Sequence, residues 1–143
     1  MIQEVKSEAE TRAFGELIGS RLKGGELIVL VGDVGAGKTT FTKGLAKGLL
    51  IDEDIQSPSF TISRNYEARD GIVLAHYDFY RLNDAGIMAN ELHESIHDPT
   101  MVTIIEWADI VEGVLPEDRM TIVFEPKSEN ERALTVTGAK DLL

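Results

Sequence analysis

The sequence predicts an α/β fold, a three-layer core around a mixed sheet with an antiparallel hairpin added. Three observations predict it. The run Glu26-Leu27-Ile28-Val29-Leu30-Val31 is short and apolar, as a parallel strand buried on both faces must be. A glycine-rich turn follows it, and then a segment in which Phe41, Leu45 and Leu49 recur at helical spacing, with Leu50 beside the last. Further on, residues 60–66 alternate and residues 72–80 are rich in β-formers, with the turn signal Arg69-Asp70-Gly71 between them. Strand, turn and helix demand a parallel core, and the hairpin adds antiparallel strands to it.

The remaining elements follow in order. Residues 2–5 suit a short edge strand. Ser7-Glu8-Ala9-Glu10 has the form of a capping box, in which Ser7 and Glu10 satisfy N–H groups at a helix start. That helix should run to about Leu22, burying Ala13, Phe14, Leu17, Ile18 and Leu22, and end at Lys23-Gly24-Gly25. Residues 51–58 are polar and read as loop. Residues 84–97 are weakly helical, with Ile87, Met88, Leu92 and Ile96 facing inward. Residues 101–105 are a second buried strand, 108–114 a short helix ended before Pro116, and 120–124 and 134–136 two late strands.

The glycine-rich turn carries the chemistry. Gly32-Asp33-Val34-Gly35-Ala36-Gly37-Lys38-Thr39 has the spacing G-x-x-x-x-G-K-[ST] of a P-loop, and it lies between a strand and a helix as that motif requires. Glycines let successive N–H groups turn inward around phosphate oxygens. Lys38 brings a cation to the β- and γ-phosphates, the Thr39 hydroxyl can ligate Mg²⁺, and the helix turns its positive end toward the anion. The ligand class is therefore a nucleoside triphosphate with Mg²⁺. The glycines do not fit G-x-G-x-x-G, which disfavours a dinucleotide fold.

Composition narrows the rest. At 143 residues the chain is expected to be a single domain, 1–143, with a real core. With 14 basic and 25 acidic side chains it carries a net charge of −11, which suits a basic partner surface better than direct nucleic-acid binding. The absence of cysteine removes disulfides, thiol catalysis and thiolate metal sites. No stretch resembles a signal peptide or a membrane span, so the expected location is cytoplasmic.

A P-loop leaves two tasks open: an acid to complete the Mg²⁺ shell, and a group to position the attacking water or hydroxyl. Glu106 ends the apolar run 101–105, where a carboxylate is desolvated unless it meets a cation. Position alone leaves a solvated strand-end carboxylate equally open. In His76-Tyr77-Asp78-Phe79-Tyr80-Arg81, alternation puts His76, Asp78 and Tyr80 on one face. Asp78 there could bind metal or orient a water, or belong to a plain polar row. A lone histidine is ordinarily a structural hydrogen-bonder, which is the first reading for His76, His93 and His97. Ser57-Pro58-Ser59-Phe60 stands where a switch segment could sense the γ-phosphate, or is an ordinary Ser-Pro turn. Trp107 fills the core or lies beside the nucleotide.

Taken together, Gly32 to Thr40, Ser57-Pro58-Ser59-Phe60-Thr61, His76-Tyr77-Asp78-Phe79-Tyr80-Arg81 and Glu106-Trp107 resemble the bacterial TsaE (YjeE) family over about residues 5–125. These are small P-loop ATPases of threonylcarbamoyladenosine formation in tRNA. The resemblance implies ATP and Mg²⁺ as cofactors, and an energy-coupling subunit that binds a TsaB–TsaD heterodimer and hydrolyses ATP to reset it. It implies Lys38, Asp78 and Glu106 as catalytic residues, and Thr39 and Glu106 as Mg²⁺ ligands. Nucleotide contacts are implied at Asp33, Val34, Gly35, Ala36, Gly37, Lys38, Thr39, Thr40, Ser59 and Trp107. Which of Asp78 and Glu106 touches the metal stays open. Ser59 replaces the family's usual threonine and keeps the hydroxyl.

The main alternative is a small-molecule kinase with a P-loop fold. A kinase closes over its acceptor with a lid that usually bears arginines. After the P-loop helix only Arg64, Arg69, Arg81, Arg119 and Arg132 remain, and they are scattered. A GTPase lacks support, since neither D-x-x-G nor N-K-x-D occurs. Arg81 is the one candidate for a finger, so the resemblance and the sparse arginines together imply weak turnover alone and help from a partner.

Overall fold

The computed structural model describes residues 1–33, 35–56, 63–80, 82, 86 and 88–138. They form one seven-stranded sheet in the order β1-β7-β6-β2-β5-β4-β3, where β1 is Ile2–Val5, β2 Leu27–Val31, β3 Ser63–Glu67, β4 Val73–Asp78, β5 Met101–Glu106, β6 Met120–Pro126 and β7 Arg132–Thr137. Strands β6, β2, β5 and β4 are parallel; β3 pairs antiparallel with β4 at one edge, and β7 and β1 extend the other edge antiparallel. The sheet is mixed as expected, and β4 belongs both to the hairpin and to the parallel core. The first three residues of the expected hairpin strand, 60–62, lie outside the described residues.

Two layers cover the sheet. Helices α1 (Glu8–Arg21) and α2 (Lys38–Gly48) pack on one face, where Phe14, Ile18, Phe41, Leu45 and Leu49 join Ile28, Leu30, Ile104 and Ile122 in one core. Helix α3 (Met88–His97) and a 3-10 segment, Ala108–Val114, cover the other, where Leu92 and Val111 meet Val29, Tyr77, Phe79 and Ile105. The odd and even residues of β4 therefore divide between the faces, as alternation requires. Among the described residues no helix is long and apolar enough to cross a membrane.

Helix α1 starts as predicted. The Ser7 hydroxyl accepts from the Glu10 N–H at 3.1 Å, and the Glu10 carboxylate accepts from the Lys6 N–H, one residue before the expected donor. Its buried face differs from the expectation. Ala13 and Leu17 are exposed, whereas Thr11, Gly15 and Gly19 join Phe14, Ile18 and Leu22 inside. The reason is the partner helix. Gly15 and Gly19 of α1 face Gly44, Leu45 and Gly48 of α2, and the backbones approach so closely that the contact stripe narrows to the glycine line. Arg69, in the β3–β4 turn, closes this pair from below by donating to the carbonyls of Gly19 and Leu22, each at 2.9 Å, and to Gly48 at 3.4 Å.

Candidate functional site

The C-terminal ends of the parallel strands are where an open α/β sheet places its ligands. Strand β2 ends at Val31 and the chain turns at Gly32, where a Cβ would stand 3.0 Å from the Phe124 carbonyl oxygen of β6 and 3.3 Å from the Ala36 Cβ. Only glycine fits this approach. The loop closes at Gly37, a left-handed residue (φ 107°) that serves as N-cap of α2 with no side-chain capping bond. The first N–H groups of α2 are thus left for an external anion.

Lys38 enters the site from the first turn of α2 and is only 5% exposed. Its Nζ donates to the Gly32 carbonyl at 2.6 Å, stands 3.9 Å from Glu106 Oε1 and lies 4.1 Å over the centre of the Trp107 ring. Burial pulls its pKa below the ordinary lysine value, while the carboxylates of Glu106, Asp78 and Asp33 pull it back up. A desolvated cation beside three carboxylates takes up a further anion most readily when that anion brings its own counter-cation.

Glu106 is 4% exposed at the end of β5. Its second oxygen, Oε2, lies 2.7 Å from His76 Nε2 on β4. His76 is therefore the structural hydrogen-bonder of the ordinary reading, but its partner is the site's own acid. His76 Nδ1 is buried with no hydrogen-bond partner. Asp78 sits beside Glu106 as its Cα partner in the parallel β4–β5 register, and its Oδ1 accepts from the Tyr80 N–H at 3.0 Å. Two carboxylates thus stand side by side at adjacent strand ends. Trp107 has a left-handed backbone (φ 56°) that turns it out of β5. Its ring packs between Lys38 and Tyr80, 4.7 Å from the tyrosine ring, and also against the core below α3, as the core-packing reading expects.

The structure accordingly brings together Asp33, Gly35, Ala36, Gly37, Lys38, Thr39 and Thr40 on the loop and first turn, with Asp78, Glu106 and Trp107 opposite. Thr39 is exposed and Thr40 half-buried. Val34, Ser59 with the rest of 57–61, and Arg81 lie outside the described residues. Beyond the sequence reading, a cavity of about 390 Å³ adjoins Gly32, Asp33 and Trp107 and is bounded by Asp109, Glu112 and Arg119. Arg132 of β7 reaches the loop as well, which no local pattern around it announces, because the residues it touches are 96 and 97 positions away.

Comparison with known proteins gives a family. Residues 5–134 match the family model described as "Threonylcarbamoyl adenosine biosynthesis protein TsaE". The tRNA threonylcarbamoyladenosine biosynthesis protein TsaE of Bacillus subtilis is 42% identical over 130 residues, 90% of this chain and 80% of that one. Its counterpart in Treponema pallidum is 37% identical over 131 residues, 92% and 96% of the two chains. Among solved structures, the crystal structure of Bacillus subtilis YdiB superposes with a TM-score of 0.77 at 34% identity, covering 99% of this chain and 86% of that one. The fold is therefore P-loop NTPase-like, and the chain belongs to the TsaE family of threonylcarbamoyladenosine biosynthesis proteins.

Proposed function

We propose that this protein is a Mg²⁺-dependent ATPase that binds a TsaB–TsaD heterodimer and uses ATP hydrolysis to sustain threonylcarbamoyladenosine formation in tRNA. One observation carries the chemical half of the reading: Lys38 is a buried cation at the uncapped start of an 11-residue helix, 3.9 Å from the acid that ends the neighbouring strand. The family to which the chain belongs supports the biological half.

The donor set fits Mg²⁺. The Thr39 hydroxyl and the Glu106 or Asp78 carboxylate are hard oxygen donors, and among the described residues no group of three or more His, Asp and Glu forms a complete metal cage. That suits an ion held by one or two protein oxygens and by the phosphates it arrives with. Bound there, Mg²⁺ would neutralise charge on the phosphates. Lys38 and the N–H groups of Gly35 and of Gly37 to Thr40 would bind the phosphates, the Ala36 N–H being engaged by the Asp33 carbonyl. The carboxylate not engaged by metal would orient the attacking water, and Trp107 with Tyr80 would keep bulk water from Lys38. Arg69 and Arg132 are engaged by main-chain carbonyls, and Arg119 by the Pro116 carbonyl and Glu112. These three are therefore not fingers and Arg81 stays the candidate; with so few arginines, turnover by the protein alone is expected to be weak, with the missing charge supplied by the partners.

The test is phosphate release from Mg-ATP, alone and with purified TsaB and TsaD, beside Lys38→Ala. Weak activity that rises with the partners and vanishes in the variant supports the reading. Full activity in Lys38→Ala refutes the site. Fast hydrolysis indifferent to the partners refutes the coupling, and transfer of phosphate to a small acceptor would identify the kinase instead.

A further inference from the structure

Among the described residues the guanidinium of Arg132 makes five hydrogen bonds, all to main-chain carbonyl oxygens. Nε donates to Ala36 at 3.2 Å and Nη2 to Gly35 at 3.4 Å, both in the phosphate loop. Nη1 donates to Ser128 at 2.9 Å, Glu129 at 3.2 Å and Glu131 at 3.0 Å, in the exposed turn between β6 and β7. One side chain thus ties the loop to a turn almost a hundred residues later. No carboxylate pairs with it among the described residues, so its charge acts on the loop.

We infer that Arg132 is a positioning residue for the phosphate loop, holding it in its anion-binding shape from behind; this rests on the ATP-binding reading above. A trans peptide is planar, with its C=O and the next N–H pointing opposite ways. Drawing the Ala36 carbonyl outward therefore keeps the Gly37 N–H on the inner side of the loop, and the bond to the Gly35 carbonyl fixes the peptide before it, whose Ala36 N–H donates to Asp33. Ala36 is anchored in the core and its N–H donates to the Asp33 carbonyl at 3.1 Å, but Gly35 beside it has no such packing. Gly35 has a left-handed φ of 83°, and a Cβ built there would meet no atom within 4 Å. An exposed glycine peptide explores many conformations, and the Gly35 peptide must lose that freedom before an anion is gripped. Arg132 makes the loop lose it in advance, and places a cation behind the phosphates. The link is reciprocal: what orders the β6–β7 turn favours nucleotide, and nucleotide orders the turn.

The experiment is calorimetric titration of wild type, Lys38→Ala, Arg132→Ala and Arg132→Gln with Mg-ATP and Mg-ADP, below the unfolding temperature of each. Arg132→Ala should weaken both nucleotides at least about tenfold, the scale of lost hydrogen bonds to a charged donor. In steady-state hydrolysis over a range of ATP concentrations, KM should rise by that factor with kcat nearly unchanged, a split that a merely structural residue would not produce. Hydrogen exchange in wild type should slow at 35–37 and at 127–131 together when Mg-ATP is added, and at 127–131 no longer in the variants. If Arg132→Ala fails to fold, Arg132→Gln, which keeps donors for the turn, decides by the same readouts. Wild-type affinity in a folded Arg132 variant, with Lys38→Ala inactive in binding, overturns the inference. No binding by wild type itself overturns instead the ATP reading on which it rests.

Discussion

The crossing of α1 and α2 can be tested at Gly44. A Cβ there would lie 2.1 Å from the Arg12 carbonyl oxygen and 2.8 Å from two further Arg12 backbone atoms, where ordinary contact begins at 3.4 Å. The obstacle is backbone, not the tip of a flexible side chain, so Gly44→Ala must push the helices apart by more than 1 Å. The move also loosens Phe14, Ile18, Phe41 and Leu45, all now buried in that interface. Overpacking of this kind costs about 1–3 kcal/mol and sometimes more. Replacing a helical glycine by alanine returns about 1 kcal/mol in propensity. We expect a net loss of about 1 kcal/mol and at most about 2, or roughly 3–6 °C in Tm for a chain of this size. Because α2 begins at Lys38 and Thr39, the displacement should also weaken nucleotide binding. Thermal and urea unfolding measure the first effect and calorimetry the second. Gly113→Ala is the control, since a Cβ there meets nothing within 4 Å and its backbone is unstrained. Gly15→Ala, whose Cβ would sit 2.4 Å from the Phe41 carbonyl, should be non-additive with Gly44→Ala because both open the same crossing. A Gly44→Ala protein as stable as the Gly113→Ala control would refute the close-crossing argument.

Three further outcomes are expected. His76→Ala leaves the nearly buried Glu106 without its 2.7 Å partner, and should cost about 2–4 kcal/mol in urea unfolding while lowering turnover; Glu106→Gln should fold, retain nucleotide affinity and lose hydrolysis. Tyr77 has its pKa raised from 10.0 to about 12, first by burial and then by Glu91 nearby. The folded state then holds a proton that the unfolded state releases, so stability should be intact below pH 10 and fall between pH 10 and about 12, and Tyr77→Phe should remove that part of the decline in alkaline urea titrations. Trp107, the single tryptophan, lies 4.1 Å from the Lys38 ammonium, so its fluorescence should change on adding Mg-ATP to wild type and stay constant in Lys38→Ala.

Local chemistry by itself determined a good deal of this protein. The apolar run before Gly32, the glycine spacing and the helical recurrence of Phe41, Leu45 and Leu49 are contiguous in sequence, and the forces that shape them act within a few residues. They were enough to read the strand, the glycine loop and helix α2, and to propose the ligand class. The Ser7 cap, the hairpin and the 101–106 strand were legible for the same reason. Tertiary structure decided what depends on distant partners. Ala13 and Leu17 look as buried in the sequence as Phe14 and Ile18, and only the glycines of α2 determine which side of α1 can approach. His76 and Glu106 are 30 residues apart, and only the parallel pairing of β4 with β5 turns a solitary histidine into the acid's partner. The Arg132 contact with the phosphate loop needs β7 beside β6 and β6 beside β2, an order set by how whole strands bury their faces and not by any property of the residues around position 132.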